Sequence, residues 1–414
     1  MSARVVILGG GFAGVGAAQK LKDADAEVLL VDRHDYHTFQ PLLYQLATGL
    51  LETTAVGHSL RDLLVQENTR VEQATVAGID LDASQVRFDD LPSVTYDYLV
   101  LALGAQVQFF GTEGAAEHAF PMYTLPHAVR LKEHLLERWG AADRDRSLVE
   151  DGALNVVVVG GGPTGVETAG AIAELYRSAF AHDYPDLPQD EARVILVEAG
   201  PELFGMFKPR LRSYAAKALA DRTVEVRTGT KVESVAPTRV RLGQGDEVKT
   251  HTLVWGAGLQ GNPLVQDLGV ELARGNRIAV AADLTLPGHP EVFVLGDVAA
   301  ITDAKTGQVL PQLGSVALQS GEHAGESIAR RLAGKEPKPF RYHDKGTMAT
   351  IGRGAAVVQM LGGRTVTGAK AQVAWGAVHL ALLPTNDDRA RAIVAWTGAA
   401  ISHQRIGRIT VGDE

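Results

Sequence analysis

The most constraining feature of this chain is a motif that it carries twice. Residues 4–21 read RVVILGGGFAGVGAAQKL, and residues 155–175 read NVVVVGGGPTGVETAGAIAEL. Each begins as a β-branched run of strand length, passes through a glycine turn, and continues into small residues suited to a helix. The turns are Gly9-x-Gly11-x-x-Gly14 and Gly160-x-Gly162-x-x-Gly165, their first glycines 151 residues apart. In such a unit the first glycine permits a tight turn and the second lets a pyrophosphate approach the backbone. The third lets the helix pack closely on the strand. The helix start then offers free N–H groups and a partial positive charge to the phosphate. Two such units predict an α/β protein with two Rossmann-like, doubly wound dinucleotide-binding domains.

Each unit continues with a second apolar run that ends in an acid. Glu27-Val28-Leu29-Leu30-Val31-Asp32 follows the first helix, and Asp32 lies 18 residues past Gly14, where a ribose-binding acid belongs. Arg193-Val194-Ile195-Leu196-Val197-Glu198 follows the second, and Glu198 lies 33 residues past Gly165. The extra length is a polar insert, His182 to Glu191, with Pro185 and Pro188, which reads as a loop. A carboxylate at 198 accepts ribose hydroxyls and repels a 2′-phosphate. Ala199-Gly200 follows it instead of an arginine, so NADH is favoured over NADPH. Further strands are expected over 98–103, 253–255 and 292–295, each closed by glycine. Two dinucleotide sites in one chain suggest one bound and one exchanging cofactor, with a hydride passing from nicotinamide to flavin.

Other features narrow the class. At 414 residues the chain needs two or three domains. It contains no cysteine, which excludes disulfide-based redox chemistry, Cys–zinc sites and iron–sulfur clusters. Its net charge is −9 with no basic block, which argues against a nucleic-acid partner. The first apolar run leads straight into the glycine turn, leaving no room for a secretory signal. No continuous apolar run reaches 18 residues, so no transmembrane helix is expected. The expected place is the cytoplasm or the cytoplasmic face of the cell membrane. His34 and His37 lack a carboxylate–His set of metal spacing and read as turn or flavin-adjacent polar residues; no metal site is expected.

Four stretches resemble the two-dinucleotide-binding flavoprotein reductases, and among them the type II, non-proton-pumping NADH:quinone oxidoreductases. The most specific is Tyr36 to Gly49, YHTFQPLLYQLATG. The others are Val159 to Gly170, VGGGPTGVETAG; Phe293 to Ala299, FVLGDVA; and Asp344 to Gly352, DKGTMATIG. The resemblance covers roughly residues 3–360. It implies a discontinuous FAD domain of residues 1–115 and 275–330, an inserted NADH domain of 116–274, and a C-terminal membrane and dimer segment of 331–414. It implies FAD contacts at Gly9, Gly11, Phe12, Ala13, Gly14, Asp32, Arg33, Gln40, Tyr44, Val76, Gly104, Gly296, Asp297 and Ala317. Asp297 would bind the flavin ribityl chain. NADH contacts are implied at Gly160, Gly162, Pro163, Thr164, Gly165, Glu198 and Gly258.

By the same resemblance Glu167 faces the flavin–nicotinamide junction, where it gates NADH or relays protons; as a plain first-turn acid it would merely suit the helix dipole. Gln319 and Lys345 would orient or protonate a quinone, although Lys345 also fits as a surface lysine and Tyr44 as a core aromatic. One departure stands out: where the family has AQxAxQ, this chain has Gly314-Ser315-Val316-Ala317-Leu318-Gln319, so the first glutamine is Ser315. Ser315 is shorter, and a water is expected to fill the gap.

Residues 371–383 read AQVAWGAVHLALL. Ala371, Trp375, Val378 and Leu382 form an apolar stripe, with Gln372, Gly376 and His379 on a narrower polar one. This predicts an amphipathic helix of about 13 residues, too short to span a bilayer. With Lys370, Arg389, Arg391, Arg405 and Arg408 nearby, it reads either as a membrane-surface contact over 366–408 or as a helix packed on its own body or on a dimer mate. Three activities fit at this point. The first is an FAD-dependent NADH:quinone oxidoreductase working by a ping-pong sequence, with a homodimer implied by the resemblance. The second is an NADH reductase with a soluble acceptor, and the third an NADH-responsive flavoprotein module.

Overall fold

In the computed structural model, which describes residues 2–402, the chain divides into two compact units. The first gathers the residues up to Thr38 with Gly57–Gln106 and Leu259–His343; the second gathers Phe39–Val56, Val107–Gly258 and the residues from Asp344 onward. The chain therefore crosses between units at 106/107, 258/259 and 343/344, not at the expected 115/116, 274/275 and 330/331. It also lends 39–56 to the second unit.

The first unit is built on a sheet of β1 (Ala3–Leu8), β2 (Ala26–Asp32), β3 (Thr69–Gln73) and β4 (Tyr98–Leu101), extended by the hairpin strands Thr285–Leu286 and His289–Val294. From one edge the order is 285–286, 289–294, β4, β1, β2, β3, parallel except at the outermost hairpin strand. Val5, Val6, Ile7 and Leu8 are wholly buried, as a central parallel strand covered on both faces requires. Helix α1 (Phe12–Lys20) follows β1 and packs on a closing helix, Gly314–Leu332. Small residues make that contact: a Cβ on Gly321 would lie 2.0 Å from the carbonyl oxygen of Ala13, and one on Gly325 would lie 2.5 Å from that of Ala17. Backbones this close leave room for nothing larger than glycine.

The second unit repeats the plan with β5 (Phe120–Pro121), β6 (Val156–Val159), β7 (Val194–Val197), β8 (Val224–Arg227) and β9 (Thr252–Trp255), in the parallel order β5-β9-β6-β7-β8. It adds a short helix, α2 (Leu43–Ala47), and the helix after β6, α3 (Pro163–Leu175). A π-helical turn, Tyr176–Phe180, runs on from α3, and the polar insert after it is partly helical, with short turns at Ala181–Asp183 and Gln189–Glu191.

The C-terminal region is not a separate piece. Its antiparallel sheet, β10 (Thr347–Gly352), β11 (Ala355–Gln359) and β12 (Thr365–Thr367), packs on α3 within the second unit. Two helices follow, α4 (Ala369–Leu382) and α5 (Asn386–Ser402), with Thr385 capping α5 through a reciprocal pair of bonds with Asp388. The helix expected over 371–383 is present, but its stripe differs. Ala371 and Trp375 are buried as expected, while Val378 and Leu382 are exposed and His379, placed on the polar stripe, is buried. The covered face is set by the sheet beneath it and runs 371, 375, 379. His379 fits there because burial pushes its pKa down to about 4, and Nδ1 of the neutral ring lies 2.8 Å from the carbonyl oxygen of Trp375. Arg405 and Arg408, and with them the end of the expected 366–408 contact, lie outside the described residues.

Candidate active site

Both glycine turns have the shape that their sequence predicts. Gly9 and Gly160 adopt φ of +110° and +115°. A Cβ on Gly14 would sit 1.8 Å from the carbonyl oxygen of Gly9, and one on Gly165 would sit 1.8 Å from that of Gly160. In contrast, a Cβ on Gly11 or Gly162 meets nothing within 4 Å. Each of these two is the N-cap of its helix, and neither helix start has a side-chain cap. Open space above free N–H groups at a helix start is a cradle that fits a pyrophosphate. Pro163 occupies the first position of α3, where its missing N–H costs nothing.

The two acids play matching parts. Oδ2 of Asp32 accepts the N–H of Gly10 at 2.6 Å, and Oδ1 accepts that of His34 at 2.8 Å. Oε2 of Glu198 accepts the N–H of Gly161 at 2.5 Å, and Oε1 accepts that of Gly200, also at 2.5 Å. Each carboxylate thus braces the middle of its own glycine turn and keeps lone pairs for a ribose. His37, read from the sequence as a turn or flavin-adjacent polar residue, steadies the first turn from the other side. Burial pushes its pKa down to about 4, so the ring is neutral, and its Nδ1–H donates to the carbonyl oxygen of Gly10 at 2.9 Å. Its ring also meets Phe12 edge-on at 4.9 Å.

Other expected residues of the first unit gather by the same turn or on the closing helix. Gly296 has φ +65° and donates its N–H to Ser320 at 3.1 Å; Asp297 follows it in a short turn, with its carbonyl oxygen held by Gln312. Ala13 and Ala317 are buried within contact of Gly296. Gly104 turns with φ +66°, Val76 starts the strand Val76–Asp80, and the carbonyl oxygen of Arg33 accepts Gln73. Gln319 spends its amide on the backbone of His343, donating to the carbonyl oxygen at 3.1 Å and accepting the N–H at 2.9 Å. Ser315 meets the hydroxyl of Tyr342 at 2.9 Å, so a tyrosine stands where a water was expected. Gln40 and Tyr44 belong to the second unit, as do Gly258, which turns with φ +69°, Thr164, whose carbonyl oxygen accepts Thr168, and Lys345, which is exposed.

The second unit encloses a cavity of about 890 Å³. One wall is a single face of α3 and the turn after it: Glu167, Ala171, Glu174 and Ser178, spaced four, three and four apart. Trp375 and Gly376 of α4 and Trp396 and Ala399 of α5 line the cavity, with Tyr44 and Thr350. At the rim Oε1 of Glu174 takes the N–H of Arg353 and Nε of Arg222, while Arg353 reaches the carbonyl oxygen of Ala399 at 2.7 Å and ties down α5.

Glu167 is the chemically distinctive group in this cavity. Burial pushes its carboxyl up to about 8, against a single hydrogen bond that favours the charge, the N–H of Thr350 on Oε1 at 3.0 Å. No other hydrogen-bond partner meets it among the described residues, so burial favours the neutral carboxyl and leaves Oε2 free to donate when protonated. Burial likewise raises the Tyr44 hydroxyl, which lies 3.0 Å from Oγ1 of Thr350 and accepts Nε2 of Gln45 at 2.9 Å. Around the cavity, α4 and α5 expose Val373, Val378, Leu382, Ile393, Val394 and Ile401. Val373, 73% exposed, also lines the cavity, so the cavity opens on this apolar face. Among the described residues no helix is long and apolar enough to cross a membrane, and no cluster of acids and histidines could hold a metal ion.

The pattern of the pyridine nucleotide-disulphide oxidoreductase family matches residues 3–321. Over 428 aligned residues the chain is 35% identical to the type II NADH:quinone oxidoreductase Ndh of Mycobacterium tuberculosis, covering 99% of this chain and 90% of that protein. It is 31% identical to the type II NADH:quinone oxidoreductase of Staphylococcus haemolyticus, covering 89% and 92%. In three dimensions it is similar to the structure of NDH2 from Plasmodium falciparum in complex with NADH, with a TM-score of 0.90, 18% identity and 100% of both chains covered. At that identity the likeness concerns the fold.

Proposed function

Because the chain belongs to the type II NADH:quinone oxidoreductase family, we propose that it takes a hydride from NADH onto FAD and hands two electrons to a quinone in the cavity lined by Glu167. When bound, FAD accepts the hydride and releases the electrons to the second substrate. The turn from Gly9 to Gly14, with Asp32 and the Gly296-Asp297 turn, would hold FAD. The turn from Gly160 to Gly165, with Glu198, would hold NADH and disfavour a 2′-phosphate.

The observation that carries the quinone assignment is a buried carboxyl, Glu167, that shares a cavity with apolar and aromatic residues such as Ala171, Val373, Trp375 and Leu380. A quinone headgroup is a flat apolar ring with two carbonyl acceptors, and it needs protons as it is reduced. The volume of about 890 Å³ is that of a small-molecule site. Oε2–H of Glu167 donates to one carbonyl and is positioned to give up its proton. The apolar face of α4 and α5 rests on the membrane surface, on the cytoplasmic side where NADH is found, and admits the quinone from the bilayer. Two copies pair as a homodimer.

Ala171→Phe tests the cavity by filling it. The variant should raise the quinone KM about tenfold or more, without a matching change in the rate at which NADH bleaches the flavin. An unchanged quinone KM in a folded, yellow variant would place the quinone elsewhere.

A further inference from the structure

One end of the cavity carries a hydrogen-bond chain whose direction can be worked out from donor chemistry alone. The indole N–H of Trp396 meets Oε1 of Gln45 at 2.7 Å. Nε2 of Gln45 meets the Tyr44 oxygen at 2.9 Å, and that oxygen lies 3.0 Å from Oγ1 of Thr350. An indole nitrogen can only donate, so it fixes the carbonyl end of the Gln45 amide toward itself. The amino end must then point at Tyr44 and donate to its oxygen. The buried tyrosine O–H still needs an acceptor, and Oγ1 of Thr350, 3.0 Å away, is placed to be it. The proton of Thr350 is thereby released from the chain.

Thr350 is 5% exposed and lines the cavity, and its backbone N–H is already committed to Glu167. We infer that Trp396 acts as a positioning residue that points the Thr350 hydroxyl proton into the cavity, where it joins the Glu167 carboxyl as a second donor to a substrate carbonyl oxygen. Without the indole, the Gln45 amide is free to reverse. Tyr44 would then donate to Gln45, Thr350 would donate back to Tyr44, and the cavity would lose that donor. Two donors side by side call for a substrate that presents an acceptor, which the carbonyl oxygen of a quinone supplies. The arrangement also explains why an aromatic residue of α5, the helix that exposes Ile393 and Val394, reaches inward to a glutamine 351 positions earlier in the chain.

This rests on the cavity being the quinone site, and the experiment separates the two. Quinone-dependent flavin reoxidation is measured for Thr350→Val, Thr350→Ser and Trp396→Phe, for the Val/Phe double variant, and for Ala171→Phe. Losing one donor should lower quinone kcat/KM about three- to tenfold in Thr350→Val and in Trp396→Phe. Thr350→Ser should restore it. The double variant should be no worse than Thr350→Val alone, because both remove the same proton donor. If Ala171→Phe impairs the quinone step while Thr350→Val or Trp396→Phe does not, or if the two losses add, the donor chain is overturned and the cavity assignment stands. If Ala171→Phe has no effect, the cavity assignment fails and this inference fails with it.

Discussion

A Cβ on Gly170 would lie 2.1 Å from the carbonyl oxygen of Ile351, so α3 and β10 meet backbone against backbone. That contact holds the C-terminal sheet on the helix that carries Glu167, and it sets the floor of the cavity. Gly170→Ala should push the two elements apart and cost about 1–3 kcal/mol of stability. It should also lower the thermal midpoint by several degrees. A midpoint equal to that of the wild type would show that the contact yields without cost.

The two kinds of glycine in the first turn should fail differently. Gly14→Ala collides with the Gly9 carbonyl and should destabilise the fold itself. Gly11→Val points into open space, so the protein should fold with a near-normal midpoint yet emerge free of flavin. Full yellow colour in Gly11→Val would remove the pyrophosphate from this turn.

Much of this was legible beforehand, because a glycine turn is local physics: strand, turn, helix and acid lie within a few dozen residues of one another. Gly9, Gly14, Asp32 and Glu198 stand where their spacing predicts. The cavity was not legible. Tyr44 and Gln45, Glu167, Thr350 and Trp396 come from four separate stretches, and each alone suits an ordinary core. The seam of α4 was misjudged because hydropathy ranks Val378 above His379, whereas the sheet below selects by geometry and accepts a neutral imidazole. Division into units was misplaced at 39–56, where the motif was legible but its packing partners, such as Thr350 for Tyr44, lay some three hundred residues away.

Stability should depend on pH through Glu167. Its pKa is raised from 4.5 in the unfolded chain to about 8 in the folded one, so the folded state holds a proton that the unfolded state releases. The stability linked to that proton is fully present below pH 4.5 and is lost as pH rises through 8. Glu167→Gln is neutral throughout and lacks this loss. The denaturation midpoint of the variant, compared with that of the wild type, should therefore be higher at pH 9 than at pH 5; an equal difference at both would mean that the carboxyl is already charged at neutral pH.

Glu198→Ala should strike NADH use twice, by removing ribose contacts and by releasing the N–H groups of Gly161 and Gly200. The KM for NADH should rise about tenfold and the preference over NADPH should shrink. Steady-state kinetics with both cofactors decide it, and an unchanged preference would move discrimination to another residue.

The double change Ile393→Glu and Val394→Glu should lower affinity for phospholipid vesicles by tenfold or more, since each buried apolar side chain contributes about 1.5–3 kcal/mol. Co-sedimentation reads this out, with light scattering alongside. Intact vesicle binding with a halved particle mass would make the face a dimer seam instead.

The glycine contacts between α1 and the closing helix have a consequence for synthesis. Residues 12–20 leave the ribosome early, yet the helix that covers them spans 314–332. At about 5–20 residues per second, roughly 15–60 s pass before the second half of that seam exists. Throughout that interval the narrow, side-chain-poor face of α1 has no mate, whereas the parallel sheet of the second unit, ending at Trp255, is complete before the closing helix begins at Gly314. The nascent chain should thus mature from its middle outward, and a truncation before residue 314 should leave the first dinucleotide turn unable to close, however complete its own sequence.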